Sequence, residues 1–585
     1  MRKNFAIITA LSMLLCCKKT TGGNNNNNGN GNGGGNTGGT DTTVVITPPH
    51  ENPLAATIGF YGDDWTPKTF TTPLFATAAK PSATADATIT VDMSDIVTKV
   101  SKYLFGNNAN PYMTQVVTEP VLVDQLKNLS PNIIRFPGGN ISSVYFWNEA
   151  PGTPPGDAPA KLLDASGNSI DPGYWYGNNT ASWTLSVDNY YNMLQQTNST
   201  GIITINYAYA RYSTAANPVA AAAHLAADWV RYDKGRTKYW EIGNESNGTW
   251  QAGYEIDVTQ NHDGQPQIIT GTLYGQHFKV FADSMHAAAA ETGATIKIGA
   301  QLLDAAPQSW QTATDQSWNQ GVFTAAGSIP DYYIVHDYYT PFNTNSNAAD
   351  ILATAPAVSK NIMTYYQGQV TQYAAQLKPL ALTEWNIFAT GSKQMVSHIA
   401  GMHAVITLCE LMKNQFGEAS RWDLANGWSN GDDQGMFNNG DEPGAAKWQP
   451  RPAFYHMYYL QKYFGDRLVS TAVTGSSNIT AYGSSWSSGE STIVVANTGT
   501  TDKTVAVTVK NFKPGTHYYW YTLTGGTDNG EFSRKLYING DGPSGDSGGP
   551  ADYTTVKANQ AAVQGGITLK APARSISFLV VENQK

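Results

Sequence analysis

Two glutamates occupy positions at which carboxylates can carry out acid–base chemistry. Glu245 ends the segment WEIGNE at 240–245, and Glu384 lies in the segment TEWN at 383–386. Each follows a short apolar run and has hydrogen-bonding side chains as neighbours. Cleavage of an acetal needs one protonated carboxyl group to release the leaving oxygen and one ionised carboxylate to attack the anomeric carbon, about 5 to 5.5 Å apart in the double-displacement route. The pattern therefore indicates a carboxylate pair suited to a glycosidic bond.

Other reaction chemistries find little support in the sequence. It contains no HExxH segment, no EF-hand loop and no cluster of histidines, so we predict neither a catalytic metal nor a cofactor. Serine or cysteine triads are equally unsupported. Cys409 lies in the apolar helical segment 404–412 and is predicted to be a buried thiol.

The elements that must position the two glutamates lie between Tyr103 and about Gly431, where short apolar runs alternate with longer segments of helical spacing. This alternation implies parallel strand pairing. An open doubly wound sheet would use fewer strands and usually a Gly-rich phosphate turn, so eight strands favour a closed (β/α)8 barrel. The candidate strands are Tyr103–Gly106, Ile133–Phe136, Ile202–Tyr207, Tyr239–Ile242, Ile296–Ala300, Tyr332–His336, Leu380–Thr383 and Ala419–Leu424.

Polar and aromatic residues follow several of these strands, at the barrel end where active sites form. Arg135 is expected to pair with Glu384, whereas Glu241 lies within its strand and is expected to be structural. His336 and Tyr338 either contact the substrate or pack in the barrel core, and Trp428 is an alternative to Trp422 as a sugar platform. The substrate-binding residues predicted from these positions are Arg135, Asn140, His336, Tyr338, Trp385 and Trp422.

Three motifs carry a resemblance to a known group of enzymes: RFPGGN at 135–140, WEIGNE at 240–245 and TEWN at 383–386. With them the chain resembles the clan A glycoside hydrolases, nearest to the family 51 α-L-arabinofuranosidases. The resemblance implies that Glu245 is the acid/base, that Glu384 is the nucleophile and that Asn244 holds the substrate 2-hydroxyl. It also implies a barrel followed by a β-sandwich, covering about residues 87–582.

The implied activity is retaining hydrolysis of a plant or algal polysaccharide, with α-L-arabinofuranosides as the first substrate class. An endo-acting β-glycanase on xylan, glucan or agar is the alternative on the same barrel. It is favoured by the long segment 147–183, which has no match in the family and could build extra subsites. A non-catalytic, glycan-binding surface lipoprotein is the alternative of another class.

The chain divides by composition into five predicted regions. After about Pro452 a Tyr-rich helix leads to short alternating segments with Gly, Asn and Ser turns, typical of an antiparallel β-sandwich. The predicted fold class is therefore α/β, a TIM barrel with a C-terminal sandwich. The regions are a lipoprotein signal peptide at 1–17, a disordered Gly/Asn-rich tether at 18–50, a segment giving one strand to the sandwich at 51–100, the barrel at 101–451 and the sandwich at 452–585.

The N-terminus has the pattern of an exported lipoprotein. Arg2 and Lys3 precede an apolar run at 5–15 that ends on two cysteines, which resembles a bacterial lipobox. Cys17 is predicted to be lipidated, with Cys16 as the alternative. The predicted location is the bacterial cell envelope, either lipid-anchored to the outer membrane or secreted, with membrane contact only through the anchor.

Composition restricts the partners. The formal net charge is -9 and only 14% of residues are charged, so no basic face is available for nucleic acid. Three cysteines exclude a disulfide framework. Aromatic residues make up 11% of the chain, and many stand beside Asn, Gly and Asp in predicted loops, where sugar rings can stack on them. The predicted partner is a polysaccharide or oligosaccharide.

Overall fold

Eight parallel strands close into a barrel in the computed structural model, which describes residues 46–388, 390–527 and 531–584. Each strand pairs with the next one along the chain, and the last pairs with the first. The strands are β1 (Gly106–Asn108), β2 (Ile133–Phe136), β3 (Thr200–Ile205), β4 (Tyr239–Ile242), β5 (Lys297–Gln301), β6 (Tyr332–Tyr338), β7 (Leu380–Asn386) and β8 (Glu418–Arg421).

Helices separate the barrel strands and pack around them. The predicted helical segments 220–232 and 276–290 lie within two of these helices, which extend a few residues further at both ends because capping residues define their termini. Asn217, for example, accepts a hydrogen bond from the Ala220 amide, and Pro218 occupies the first turn. The helices are α1 (Pro120–Leu129), α2 (Val187–Thr197), α3 (Tyr209–Tyr212), α4 (Pro218–Asp233), α5 (Gly271–Thr292), α6 (Ala313–Ala326), α7 (Ala348–Gln372), α8 (His398–Lys413) and α9 (Pro452–Tyr463).

A second, mostly antiparallel sheet follows the barrel in the chain. It includes the N-terminal strand Ala87–Lys99, which alternates buried and more exposed residues and lies between β9 and β12. The sheet curls around its own hydrophobic cluster, to which Ile89, Val495 and Leu569 belong. Its C-terminal strands are β9 (Arg467–Thr474), β10 (Ile479–Ser485), β11 (Ser491–Asn497), β12 (Lys503–Lys510), β13 (Pro514–Gly525), β14 (Leu536–Ile538), β15 (Ala558–Ala562), β16 (Ile567–Ala571) and β17 (Ser575–Asn583).

The predicted fold class, a (β/α)8 barrel followed by an antiparallel β-sandwich, is confirmed. Residues 1–45, which hold the predicted signal peptide, both N-terminal cysteines and most of the predicted tether, lie outside the described residues. At the end of the tether region, His50–Glu51 pairs with Asp95–Ile96 of the N-terminal strand. In the part of the chain that is described, no helix combines the length and the hydrophobicity that crossing a bilayer requires.

The first barrel strand differs from its prediction. The apolar residues around Tyr103 form a short 3-10 helix, Lys102–Leu104, and the strand itself is the polar segment Gly106–Asn108. Both of its asparagines are buried, and the amide of Asn108 bonds inside the barrel, where Nδ2 donates to the carbonyls of Thr383 at 2.9 Å and Ser420 at 3.0 Å. A pattern based on hydrophobicity misses a strand of this kind.

Candidate functional site

Glu245 is placed at the rim by a tight turn after β4. Gly243 has φ +80°, and a side chain there would sit 2.7 Å from Ser246 Oγ and 2.8 Å from Tyr207 Cβ, so only glycine fits. Glu245 itself has φ +42°, an uncommon conformation for a residue with a side chain. Such backbone strain is concentrated at functional sites. The turn therefore aims the Glu245 carboxylate into the barrel mouth.

The two glutamates meet at this mouth. Carboxylate oxygens of Glu245 and Glu384 and a ring nitrogen of His336 all lie within 4.8 Å of one another. Glu245 Oε1 is 3.0 Å from His336 Nδ1, and its Oε2 accepts a hydrogen bond from the Trp250 indole N–H at 3.0 Å. The side chain of Glu245 is 25% exposed, whereas that of Glu384 is 4% exposed. Glu384 is therefore the inner carboxylate and Glu245 the outer one.

Glu384 is held by two donors, the buried Arg135 and Tyr338 at the end of β6. Arg135 Nη1 donates to Glu384 Oε1 at 2.8 Å, and the Tyr338 hydroxyl donates to Oε2 at 2.8 Å. The guanidinium of Arg135 is fully buried, and its Nε also donates to Glu241 Oε2 at 2.6 Å. Arg135 Nη2 donates to Asn244 Oδ1 at 2.8 Å. One cation thus connects the second, fourth and seventh strands and orients both Glu384 and Asn244.

We expect replacement of Arg135 by methionine to lower the free energy of unfolding by about 3–5 kcal/mol, because Glu241 and Glu384 would remain buried without their cation. Urea denaturation monitored by circular dichroism measures this change. The control is Arg231→Met, which breaks a solvent-exposed pair with Glu291 and should lower the free energy of unfolding far less. Equal losses in the two variants would contradict the structural role of Arg135.

His336 sets the charge of the outer carboxylate. Burial raises the pKa of Glu245, but the hydrogen bond and positive charge of His336, together with the Trp250 hydrogen bond and the charge of Arg135, outweigh burial and lower the net pKa. Burial lowers the pKa of His336, but the charge of Glu384 and the hydrogen bond to Glu245 outweigh it and raise that pKa. In the free site, the lowered pKa of Glu245 and the raised pKa of His336 together favour the imidazole as the holder of the shared proton.

The His336–Glu245 ion pair predicts a pH-dependent contribution to stability. A raised folded pKa means that the stabilisation is fully present below the ordinary histidine value of about 6.5 and is lost as the pH rises through the folded pKa. It falls again in acid, as Glu245 becomes protonated. We expect His336→Gln to lower the melting temperature more at about pH 6 than at about pH 9. Calorimetry at both pH values tests this, and a deficit that does not change with pH would contradict the ion pair.

The other residues predicted for the site are dispersed. Asn244 is buried and hydrogen-bonded to Arg135, whereas Asn140 is exposed at the start of a short 3-10 helix, Asn140–Val144. Trp385 is fully buried, because its side chain alternates with that of Glu384 along β7 and points away from the barrel interior. Trp422 lies half-buried against Gly139, where a Cβ would sit 2.6 Å from its ring. The structure thus brings Trp422 but not Trp385 to the barrel mouth.

Several site residues were missed by sequence reasoning. Trp250 follows Glu245 by five positions in the same loop, and Thr383 Oγ1 lies 3.1 Å from His336 Nε2. Asp304 and Asp337 interact through their side chains, and burial together with the charge of Asp304 raises the pKa of Asp337 well above its usual range. Thr383 lies in the TEWN motif and Asp337 in the polar segment at the end of the sixth strand, whereas the other two residues lie outside the segments that the sequence indicated.

A cleft of about 400 Å³ opens beside Glu245. Its walls come from β6 and from the loops that follow β4 and β5, and they include Glu245, Trp250, Asp304, Trp310 and His336. The 147–183 segment packs elsewhere: Trp147 stacks on Trp229 of α4, with ring centroids 5.5 Å apart, and Asp157 accepts from Tyr209 of α3 at 2.5 Å. The extra subsites expected from that segment do not form this cleft.

Glu245, His336 and Glu384 have the ligand types and spacing that a metal ion could use. Three of the four carboxylate oxygens, however, already accept hydrogen bonds from Arg135, Tyr338 and Trp250. The fourth, Glu245 Oε1, faces the imidazole that carries the raised pKa. Because these hydrogen-bond donors already occupy the carboxylate oxygens, the arrangement is better suited to fixing the charge and orientation of the two carboxylates than to binding a metal ion.

Sequence comparison links the chain to arabinofuranosidases. Residues 125–355 match the family described as the α-L-arabinofuranosidase 1 domain. An intracellular exo-α-(1→5)-L-arabinofuranosidase of Acetivibrio thermocellus is 27% identical over 242 residues, which is 40% of this chain and 41% of the relative. A protein of the same name from Halalkalibacterium halodurans is 22% identical over 338 residues, 52% of this chain and 59% of the relative. The aligned region thus spans about two to three fifths of these relatives.

Structural comparison agrees on the fold. The α-L-arabinofuranosidase of Thermotoga maritima, solved in complex with arabinose, superimposes with a TM-score of 0.57 and 17% identity, covering 85% of this chain and all of that one. The resemblance to clan A glycoside hydrolases near the family 51 arabinofuranosidases is therefore confirmed.

The predicted location is contradicted by the same relatives. Both curated arabinofuranosidases are named as intracellular proteins, which conflicts with lipid anchoring or secretion at the cell envelope. The prediction rested on an apolar run of eleven residues, 5–15, next to two cysteines. A short local pattern of this kind is independent of the folded domains and is a weak basis for a location.

Proposed function

We propose that the protein is a retaining glycoside hydrolase that acts on α-L-arabinofuranosides, with Glu384 as the nucleophile and Glu245 as the acid/base. The observation that carries this proposal is the approach of the two carboxylates to within 4.8 Å at the barrel mouth. Retaining enzymes place these groups about 5–5.5 Å apart, whereas inverting enzymes leave about 6.5–9.5 Å for a water molecule. The spacing therefore favours double displacement.

In the first step, Glu384 attacks the anomeric carbon and the bond to the leaving oxygen breaks. Arg135 and Tyr338 orient the attacking carboxylate through hydrogen bonds to its two oxygens. Glu245 gives its proton to the leaving oxygen, so the leaving group departs as a neutral hydroxyl compound. The product of this step is a glycosyl ester on Glu384.

In the second step, Glu245 is ionised and removes a proton from water. The water oxygen attacks the anomeric carbon, the ester bond to Glu384 breaks, and the sugar is released with its original configuration. Asn244, held by Arg135, is buried beside the site with its amide available for the sugar 2-hydroxyl, a contact that strengthens as charge develops on the ring.

The proton for the first step is supplied by a pair of groups. His336 Nδ1 and Glu245 Oε1 are 3.0 Å apart and titrate as one unit, which holds a proton on the imidazole in the free site. Transfer along this hydrogen bond makes Glu245 the acid at the moment when the leaving oxygen needs a proton. The lowered pKa of Glu245 in the free site is therefore compatible with its role.

The proposal is tested with 4-nitrophenyl glycosides that differ only in the sugar, assayed together with plant and algal polysaccharides. We expect hydrolysis of the α-L-arabinofuranoside, and proton NMR of the first-formed sugar should show the α-anomer. Release of the β-anomer would refute double displacement. Activity restricted to polymers of xylan, glucan or agar, with internal cleavage products, would instead support the endo-acting β-glycanase that the sequence left open.

A glycan-binding role without catalysis is the remaining alternative. It does not explain why two carboxylates are held within 4.8 Å of each other with donors on their oxygens. Any hydrolysis that depends on Glu384 would exclude it.

A further inference from the structure

We infer that the cleft beside Glu245 binds the leaving-group portion of the substrate as a chain of at least two neutral sugars, with Trp310 as the platform for the second sugar. This inference rests on the proposed function and extends it. It means that the protein acts on glycosides whose leaving group is itself an oligosaccharide or polysaccharide.

Two tryptophans are exposed in this one cleft. The side chain of Trp250 is 63% exposed and that of Trp310 is 81% exposed, although tryptophan is a highly buried residue on average. Leaving two large aromatic surfaces in water forgoes the favourable burial of each ring. Flat apolar faces that carry a polar edge are the surfaces on which sugar rings stack.

The glycine backbone next to Trp250 leaves room for its indole ring. A Cβ on Gly248 would lie 2.6 Å from two atoms of the indole, so the absence of a side chain lets the ring lie against the loop. The indole N–H bonds to Glu245 Oε2 at 3.0 Å, which fixes the ring next to the proton donor. Trp250 is thereby placed to meet the first sugar of the leaving group.

The position of the cleft identifies the part of the substrate it holds. Its walls include Glu245, the outer carboxylate, and continue outward to Trp310, whereas Glu384 and Arg135 lie deeper in the barrel. The acid/base carboxylate faces the leaving oxygen, so the space on its outer side is the space that the leaving group occupies.

The polar groups of the cleft suit a neutral ligand. Asn247 Nδ2 donates to Asp315 Oδ1 at 2.9 Å, so that carboxylate is engaged by a neutral donor. Asp304 bonds to Asp337: burial raises the pKa of Asp304, and burial together with the charge and hydrogen bond of Asp304 raises the pKa of Asp337, which favours a shared proton on the pair. The cleft thus presents hydrogen-bonding oxygens with reduced negative charge and has no lysine or arginine among its lining residues.

The test is a length series of α-(1→5)-linked arabino-oligosaccharides with two, three and four units. These substrates present leaving groups of one, two and three sugars to the same site. For the wild type, kcat/KM is expected to rise from the two-unit to the three-unit substrate. Trp310→Ala should remove this rise, with a loss of about ten-fold on the three-unit substrate and little loss on the two-unit one. Trp310→Phe should restore part of it.

Phe75→Ala is the matched control, since Phe75 is an exposed aromatic residue on the short strand Phe75–Thr77 at an edge of the second sheet. It should leave the length dependence unchanged. Equal losses on all three substrates in Trp310→Ala, or none, would overturn the inference while leaving the proposed function in place.

A binding measurement separates the two proposals. The three-unit oligosaccharide is titrated calorimetrically into Glu384→Gln, with and without Trp310→Ala. Binding about ten-fold weaker in the double variant supports the cleft even if turnover is absent. If the wild type cleaves none of the three substrates, the arabinofuranosidase proposal fails. Oligosaccharide binding that does not depend on Trp310 would also overturn the inference about the cleft.

Discussion

Replacement of Glu384 by alanine is expected to lower kcat on 4-nitrophenyl α-L-arabinofuranoside by about 10⁴-fold or more, because the variant has no group that can form the glycosyl ester. Removal of the carboxylate should leave the fold intact, since Arg135 keeps its bonds to Glu241, Asn244 and Asn108. Steady-state kinetics and a thermal melt on the same preparation measure the two effects.

Azide distinguishes a lost nucleophile from a general loss of activity. In Glu384→Ala it can enter the vacated space, attack the anomeric carbon and displace the leaving group, which takes its proton from Glu245. The product is the β-arabinofuranosyl azide, inverted relative to the substrate. The control is Glu291→Ala, which removes an exposed glutamate near the end of α5 and should retain full activity. Near-normal turnover in Glu384→Ala would refute the assignment.

Replacement of Glu245 by alanine is the second large effect. With unactivated oligosaccharides we expect kcat/KM to fall by about 10²–10⁴-fold, because the leaving oxygen would depart without a proton. With a 2,4-dinitrophenyl leaving group the first step needs no proton, so the loss in kcat/KM should be much smaller. The basic limb of the pH profile should also disappear, since it reports the proton held by the His336–Glu245 pair.

In this variant azide should act at the second step. It would attack the glycosyl ester on Glu384 and give the α-arabinofuranosyl azide, with the configuration of the substrate retained. Opposite azide anomers from the two variants would assign the two roles. The same anomer from both, or an equal loss for activated and unactivated leaving groups in Glu245→Ala, would contradict the assignment.

Most of the barrel and its two candidate catalytic residues were accessible from the sequence. Buried parallel strands consist of short apolar runs, and helices between them repeat every 3.6 residues, so local patterns determine the order of elements. In such a barrel the carboxyl ends of all strands lie on one rim. Glu245 and Glu384 could therefore be expected to meet although they are far apart in the chain, as could Arg135 and Glu384.

Tertiary structure alone decided which neighbours these carboxylates acquire. The lowered pKa of Glu245 depends on His336, which lies 91 positions away and reaches it only across the barrel mouth. Trp385 is next to Glu384 in the sequence, but side chains alternate along β7, so its ring is buried outside the barrel interior. Trp310, in a loop without any motif, is exposed in the cleft. Side-chain direction, desolvation and the charge of distant partners arise when elements pack together, and local sequence patterns do not encode them.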